Sequence, residues 1–168
     1  NPVDVLMKEP YHFMLYGPPG VGKTYLAAQA VNPVIIACPV NESVTLAKLP
    51  NARDIRILAC THWGDVLDTV KVLQRPSEKL GPFDSIVFDN LTHAYGFAVE
   101  HALSKQSNDV VSQATWTAAN RLMRDVLDDL LAIQGKNVIL VAHHRREKND
   151  RTGDIQVLLD FGPSLAQS

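Results

Sequence analysis

Cysteine is scarce in this chain: only Cys38 and Cys60 occur, each in or beside an apolar run and without metal-ligand spacing. That excludes a disulfide-rich scaffold and predicts two reduced, buried thiols in a reducing compartment, with a single disulfide as the minor alternative. Long hydrophobic runs are missing as well. No stretch approaches the roughly 18 apolar residues of a membrane span. The first residues also lack a signal-peptide pattern, so no membrane contact is expected and the cytoplasm is the expected location. Neither sign of charge is in large excess. A formal net charge of −2 excludes a protein that coats nucleic acid with its whole surface, leaving room only for a regional basic patch. His12, His62, His93 and His101 show no metal spacing and receive no role. Internal repeats and low-complexity linkers are likewise lacking.

What is present fits a globular domain. With 168 residues, 46% hydrophobic and 20% charged, the chain can bury a full core, so residues 1–168 are expected to form one domain. Asn1 in place of an initiating Met, and Ser168 close behind a strand, suggest a piece of a longer protein truncated at its C-terminus. Apolar runs alternate with amphipathic stretches, the pattern of a three-layer α/β protein with a mainly parallel central sheet flanked by helices. Strands are predicted over residues 12–16, 34–38, 55–59, 85–88 and 137–142. Helices are predicted over 22–30, ended by Asn32-Pro33, and over 64–74. From Ala114 to Ile133, Trp116, Leu122, Met123, Val126, Leu127, Leu130 and Ile133 recur at helical spacing, predicting an amphipathic helix packed on the sheet. Arg151-Thr152-Gly153-Asp154 reads as a turn, so residues 145–161 are expected to form a C-terminal hairpin.

Gly17-Pro18-Pro19-Gly20-Val21-Gly22-Lys23-Thr24 fits G-x-x-x-x-G-K-[ST] at every fixed position, between a predicted strand and a predicted helix. A chance match to four fixed positions in a chain of this size is on the order of one in a hundred or less. The glycines allow backbone N–H groups to turn inward around phosphates, and Lys23 supplies a point charge. Thr24 is the expected magnesium ligand, and Tyr25, next in line, completes the nucleotide-contacting set 17–25. No motif here reads adenine over guanine.

The other half of such a site is an acidic residue at the end of a neighbouring buried strand, where it holds the metal or a metal-bound water. Asp89, after Ile86-Val87-Phe88, fits; its alternative role is a helix N-cap. Position 90 is asparagine, so the Asp-Glu pair in which many ATPases place their water-activating carboxylate is absent. Glu42, in the loop after strand 34–38, is the best substitute as catalytic base, against the alternative of a solvated loop glutamate. Asp65 is a weaker rival, expected to face solvent in the first turn of a helix. His143 or His144, ending strand 137–142, is placed to hydrogen-bond a γ-phosphate or its attacking water and to report hydrolysis to the hairpin; the alternative is a surface histidine pair. Arg145, Arg146, Lys148 and Arg151 leave three roles open: contacts to DNA phosphates, an arginine finger for a neighbouring subunit, or plain solvation. Trp63 and Trp116 read as packing residues rather than base-stacking platforms.

With the phosphate loop, Ser85-Ile86-Val87-Phe88-Asp89-Asn90-Leu91-Thr92, Trp116 and Asn137 to His144 in view, nearly the whole chain resembles the phage nucleotide-binding AAA family. Within it, the chain is similar to RecA-like recombination ATPases of the Sak single-strand-annealing group. The resemblance implies a RecA-like core, ATP and magnesium as ligands, and Lys23, Thr24, Asp89 and His143 at the site. It further implies hydrolysis between subunits of a homo-oligomer, and action on single-stranded DNA in phage recombination or repair in the host cytoplasm. Ala37-Cys38-Pro39-Val40-Asn41-Glu42 departs from the acidic Asp-Thr-Glu-like run common in such relatives, displacing any glutamate. Three functions stand open: a DNA-dependent ATPase, a small-molecule or nucleotide kinase with the Arg145-Arg146 hairpin as lid, and a non-hydrolysing ATP switch.

Overall fold

The computed structural model describes residues 9–39, 46–47, 52, 55–76, 78–106, 110–148 and 155–159; of 146–148 and 155–159 it describes the backbone alone. β1 (His12–Gly17) leads through the glycine-rich turn to α1 (Lys23–Ala27) and β2 (Pro33–Ala37). β3 (Arg56–Ala59) precedes α2 (Trp63–Gln74), and β4 (Ser85–Asp89) runs directly into α3 (Leu91–Ser104). After α4 (Gln113–Leu131), β5 (Asn137–Lys148) and β6 (Ile155–Leu159) complete the order. The strands line up as β1-β5-β4-β2-β3, all parallel, and β6 pairs antiparallel with the far half of β5. No helix among the described residues is long and apolar enough to cross a membrane.

Position in the sheet explains the strand compositions. β2 and β4 are covered on both faces, so Pro33–Ala37 and Ser85–Asp89 are buried throughout and read as continuous rather than alternating apolar runs. Period two still sorts their side chains. Val34, Ile36, Ile86 and Phe88 join the core beneath α2, α3 and α4, whereas Ile35, Val87, Ile139 and Val141 join Ala27 and Ala28 at the end of α1 on the other face. This produces the expected three layers. Burying one side chain such as Phe88 or Ile35 removes it from water at roughly 1.5–3 kcal/mol. β3, at one edge, alternates between half-buried and exposed residues.

Several expected boundaries shift. The helix predicted over 22–30 is α1 from 23 to 27; Gln29 N–H and Ala30 N–H then reach back three residues, to Leu26 and Ala27 carbonyls, in tighter turns. Asn32, beyond those turns and just before β2, takes φ 45°, its amide donating to Pro82 O at 3.1 Å and Asp84 Oδ2 at 3.0 Å. β5 continues to Lys148, six residues beyond the predicted end at 142, because β6 supplies a partner for residues 144–148; the expected hairpin is this pair. The helix predicted over 114–133 ends at Leu131, and its most extensive contact is with α3 rather than the sheet. There Tyr95 stacks on Trp116 with centroids 6.1 Å apart, and Tyr95 Oη donates to Asn120 Oδ1 at 2.8 Å. Trp63 lies in the core at 2% exposure, so both tryptophans are packing residues.

Candidate nucleotide site

In a parallel sheet the carboxyl ends of all strands emerge at one pole, and the register decides which residues meet there. Gly17 pairs with His143, and Asp89 pairs with Val141 on one side and Ala37 on the other. The loop after β1, the end of β4 and the middle of β5 therefore converge. A cavity of about 290 Å³ opens between them, lined by Pro19, Gly20, Gly22, Lys23, Thr24, Asp89 and His143.

The loop owes its shape to glycine. Gly20 and Gly22 take φ of 80° and 90°, in the left-handed region that residues with a Cβ avoid. At Gly17 a Cβ would come within 3.3 Å of Val21 Cγ2, so the turn is also close-packed. Lys23 Nζ rests on the loop's own carbonyls, donating to Gly17 O at 3.0 Å and Pro18 O at 2.9 Å. The ammonium is thus held over the curl of the loop. Asp89 is 3% exposed, and its backbone carbonyl accepts from Cys38 N–H at 2.7 Å. Asn90 N–H in turn donates to Cys38 O at 3.0 Å, so β2 clamps the strand end that carries the carboxylate.

The helix-cap alternative for Asp89 is corrected by the structure: the N-cap of α3 is Asn90, whose Oδ1 accepts from His93 N–H at 2.9 Å. Asp89, one residue earlier, belongs to the strand and lines the cavity. Of the other expected nucleotide contacts, Gly17, Pro18, Val21 and Tyr25 surround the same loop without lining the cavity, and Tyr25 is about half exposed. Glu42, Arg151 and the turn at 151–154 lie outside the described residues. Asp65 sits in the first turn of α2, where Thr61 N–H and Thr61 Oγ1 each donate to Oδ2 at 2.8 Å and hold its carboxyl below the usual carboxylate range. It is committed to capping and does not line the cavity. His144, next to His143, faces away from it, edge-on to Tyr16 at 6.4 Å.

Two features at this pole escaped the sequence analysis. His93, given no role there, places Nδ1 3.0 Å from Asn90 Oδ1 and meets the His143 ring edge-to-face at 5.7 Å. The signal available for it was Asn90 as a cap, which puts position 93 in the first turn. Cys38 and Cys60 are free and buried as expected, but that they sit side by side at the ends of β2 and β3 was not foreseen. The hydrogen bond between them pushes the Cys38 thiol up and draws Cys60 down, and Thr69 Oγ1, 3.6 Å from Cys60 Sγ, adds to the second effect.

A parallel α/β sheet with a glycine-rich loop after its first strand, and an acidic strand end facing the loop's lysine and threonine, defines a P-loop NTPase fold. The chain belongs to a family described as an AAA domain, which matches residues 9–164. Among solved structures it is similar to the RadB recombinase crystal structure at 16% identity and a TM-score of 0.51, covering 91% of this chain and 72% of that one. At that identity the likeness shows the fold. No curated protein matches.

Proposed function

We propose that this chain binds ATP with magnesium and hydrolyses it in a reaction that serves phage DNA recombination or repair on single-stranded DNA. The observation that carries the reading is the convergence of Lys23, Thr24, Asp89 and His143 on one cavity beside the glycine turn. The donor set suits the ligands: a hydroxyl and a carboxylate are hard oxygen donors of the kind magnesium takes, and a lysine stands among backbone amides where phosphates are cradled. Thr24 and Asp89 would hold the ion, which when bound neutralises charge on the phosphates. Lys23 would leave the Gly17 and Pro18 carbonyls for phosphate oxygens, and His143 would contact the terminal phosphoryl group. Glu42 is the proposed base. The family and the likeness to a recombinase fold support the DNA assignment, with the β5–β6 hairpin and its basic residues as the surface for DNA or for a neighbouring subunit sharing the site.

One observation favours a second reading, a slow or non-hydrolysing ATP switch. The Asn90 side chain, where a water-activating carboxylate often stands, is fully buried and spent on capping α3. For a kinase, the described residues offer no comparable observation: a groove of about 410 Å³, lined in part by Leu73, Phe83, Ile133 and Lys136, opens beside the amino ends of β4 and β5, at the opposite pole.

Phosphate release with and without single-stranded DNA tests the choice. A rate that rises with DNA and vanishes in Lys23→Ala supports the recombination ATPase, and Glu42→Gln should then lower turnover while preserving ATP binding. Tight ATP binding without turnover in either condition supports the switch.

A further inference from the structure

The hydrogen bonds behind His143 specify its protonation site. A backbone N–H can only donate, so the Asn90 atom 2.9 Å from His93 N is the amide oxygen. The Asn90 amide nitrogen then points the other way, where it lies 3.4 Å from His143 Nε2. An amide NH2 only donates, so that ring nitrogen accepts, and a histidine whose Nε2 accepts carries its proton on Nδ1. By the same logic His93 Nδ1, 3.0 Å from Asn90 Oδ1, is the protonated nitrogen of its own ring and adds a second donor to that oxygen. The backbone of His143 is tied to the same place: its N–H donates to Thr92 Oγ1 at 3.0 Å. Asn90, Thr92 and His93 all belong to the cap and first turn of α3, and Asn90 is fully buried.

We infer that Asn90 and His93 are positioning residues that hold His143 as its Nδ1–H tautomer at the rim of the nucleotide cavity. The ring thereby enters the site as a neutral hydrogen-bond donor of set orientation, suited to a terminal phosphoryl oxygen, and the amino end of α3 senses what that ring touches. This rests on reading the cavity as a nucleoside triphosphate site. It also gives Asn90 a task that an aspartate or glutamate at position 90 would undo, because a carboxylate offers His143 Nε2 an acceptor where the amide offers a donor.

The test begins with nucleotide-free wild-type protein labelled with ¹⁵N-histidine, in which long-range N–H correlations identify the protonated nitrogen of His143. Protonation at Nδ1 is expected; an Nε2–H ring, or an even mixture, overturns the inference whether or not ATP binds. Asn90→Ser keeps a capping oxygen and withdraws the amide donor without adding charge, so His143 should lose its Nδ1–H preference. Losing one neutral hydrogen bond to phosphate, the preference for ATP over ADP should fall by roughly tenfold with ADP affinity unchanged. Asn90→Gly, which caps nearly as well, should behave likewise if the serine variant folds poorly. An unaltered ATP-to-ADP ratio in either variant overturns the inference. If wild type binds no nucleotide, the ATP reading fails and takes the phosphate contact with it, and the tautomer measurement shows that failure to be separate.

Discussion

Single residues at the nucleotide pole act through backbone geometry as much as through charge. Gly22 is the example: at φ 90° it turns the loop into α1, and nothing lies within 4 Å of where a Cβ would be. A Gly22→Ala variant therefore meets no clash, only the left-handed penalty of about 1–2 kcal/mol. The loop can avoid that cost by re-pointing its amides, so nucleotide affinity should fall by roughly tenfold while global stability drops by about 1 kcal/mol or less. Titration with a fluorescent ATP analogue beside a denaturation curve separates the two effects. Lys23 and Thr24 were legible from spacing alone, since the motif fixes both. Asp89 and Asn90 were not fully legible, because both are good N-caps and only the structure shows where β4 stops and α3 starts.

Helices α3 and α4 show how local signals differ in visibility. α4 announces itself by large apolar residues at helical spacing. α3 does not: its buried stripe is Leu91, Ala94, Tyr95, Ala98 and Ala102, mostly small side chains that let it lie close to β5 and α4. Both helices carry polar starts. Ser112 and Thr115 form a reciprocal capping box, and Thr115 also exchanges hydrogen bonds with the Gln106 side chain. Ser112→Ala should cost about 1 kcal/mol and fray the first turn of α4, seen as faster hydrogen exchange there. Because Trp116 sits in that turn against Tyr95, its fluorescence should report the same fraying.

At the scale of the molecule, the sheet order makes the site. β1, β5 and β4 are adjacent in space but far apart in the chain, so the loop residues that line the cavity, Asp89 and His143 meet only once the sheet has assembled. A ligand there joins loop, strand ends and α3, and should stabilise the whole domain. At about 100 times its dissociation constant, magnesium-ATP contributes about 2.7 kcal/mol. In a domain of this size that raises Tm by roughly 5–10 °C, at about 2–4 °C per kcal/mol. The shift should be seen by thermal scanning of wild type and be absent in Lys23→Ala. The sequence by itself determined the α/β class, the phosphate loop and the hairpin after β5, because each depends on periodicity or on residues close together in the chain. Tertiary structure alone decided the helix at 91–104, the pairing of Cys38 with Cys60, and the chain of His93, Asn90 and His143. Those depend on which strands become neighbours and on which way a buried amide must face, and no local pattern carries that information.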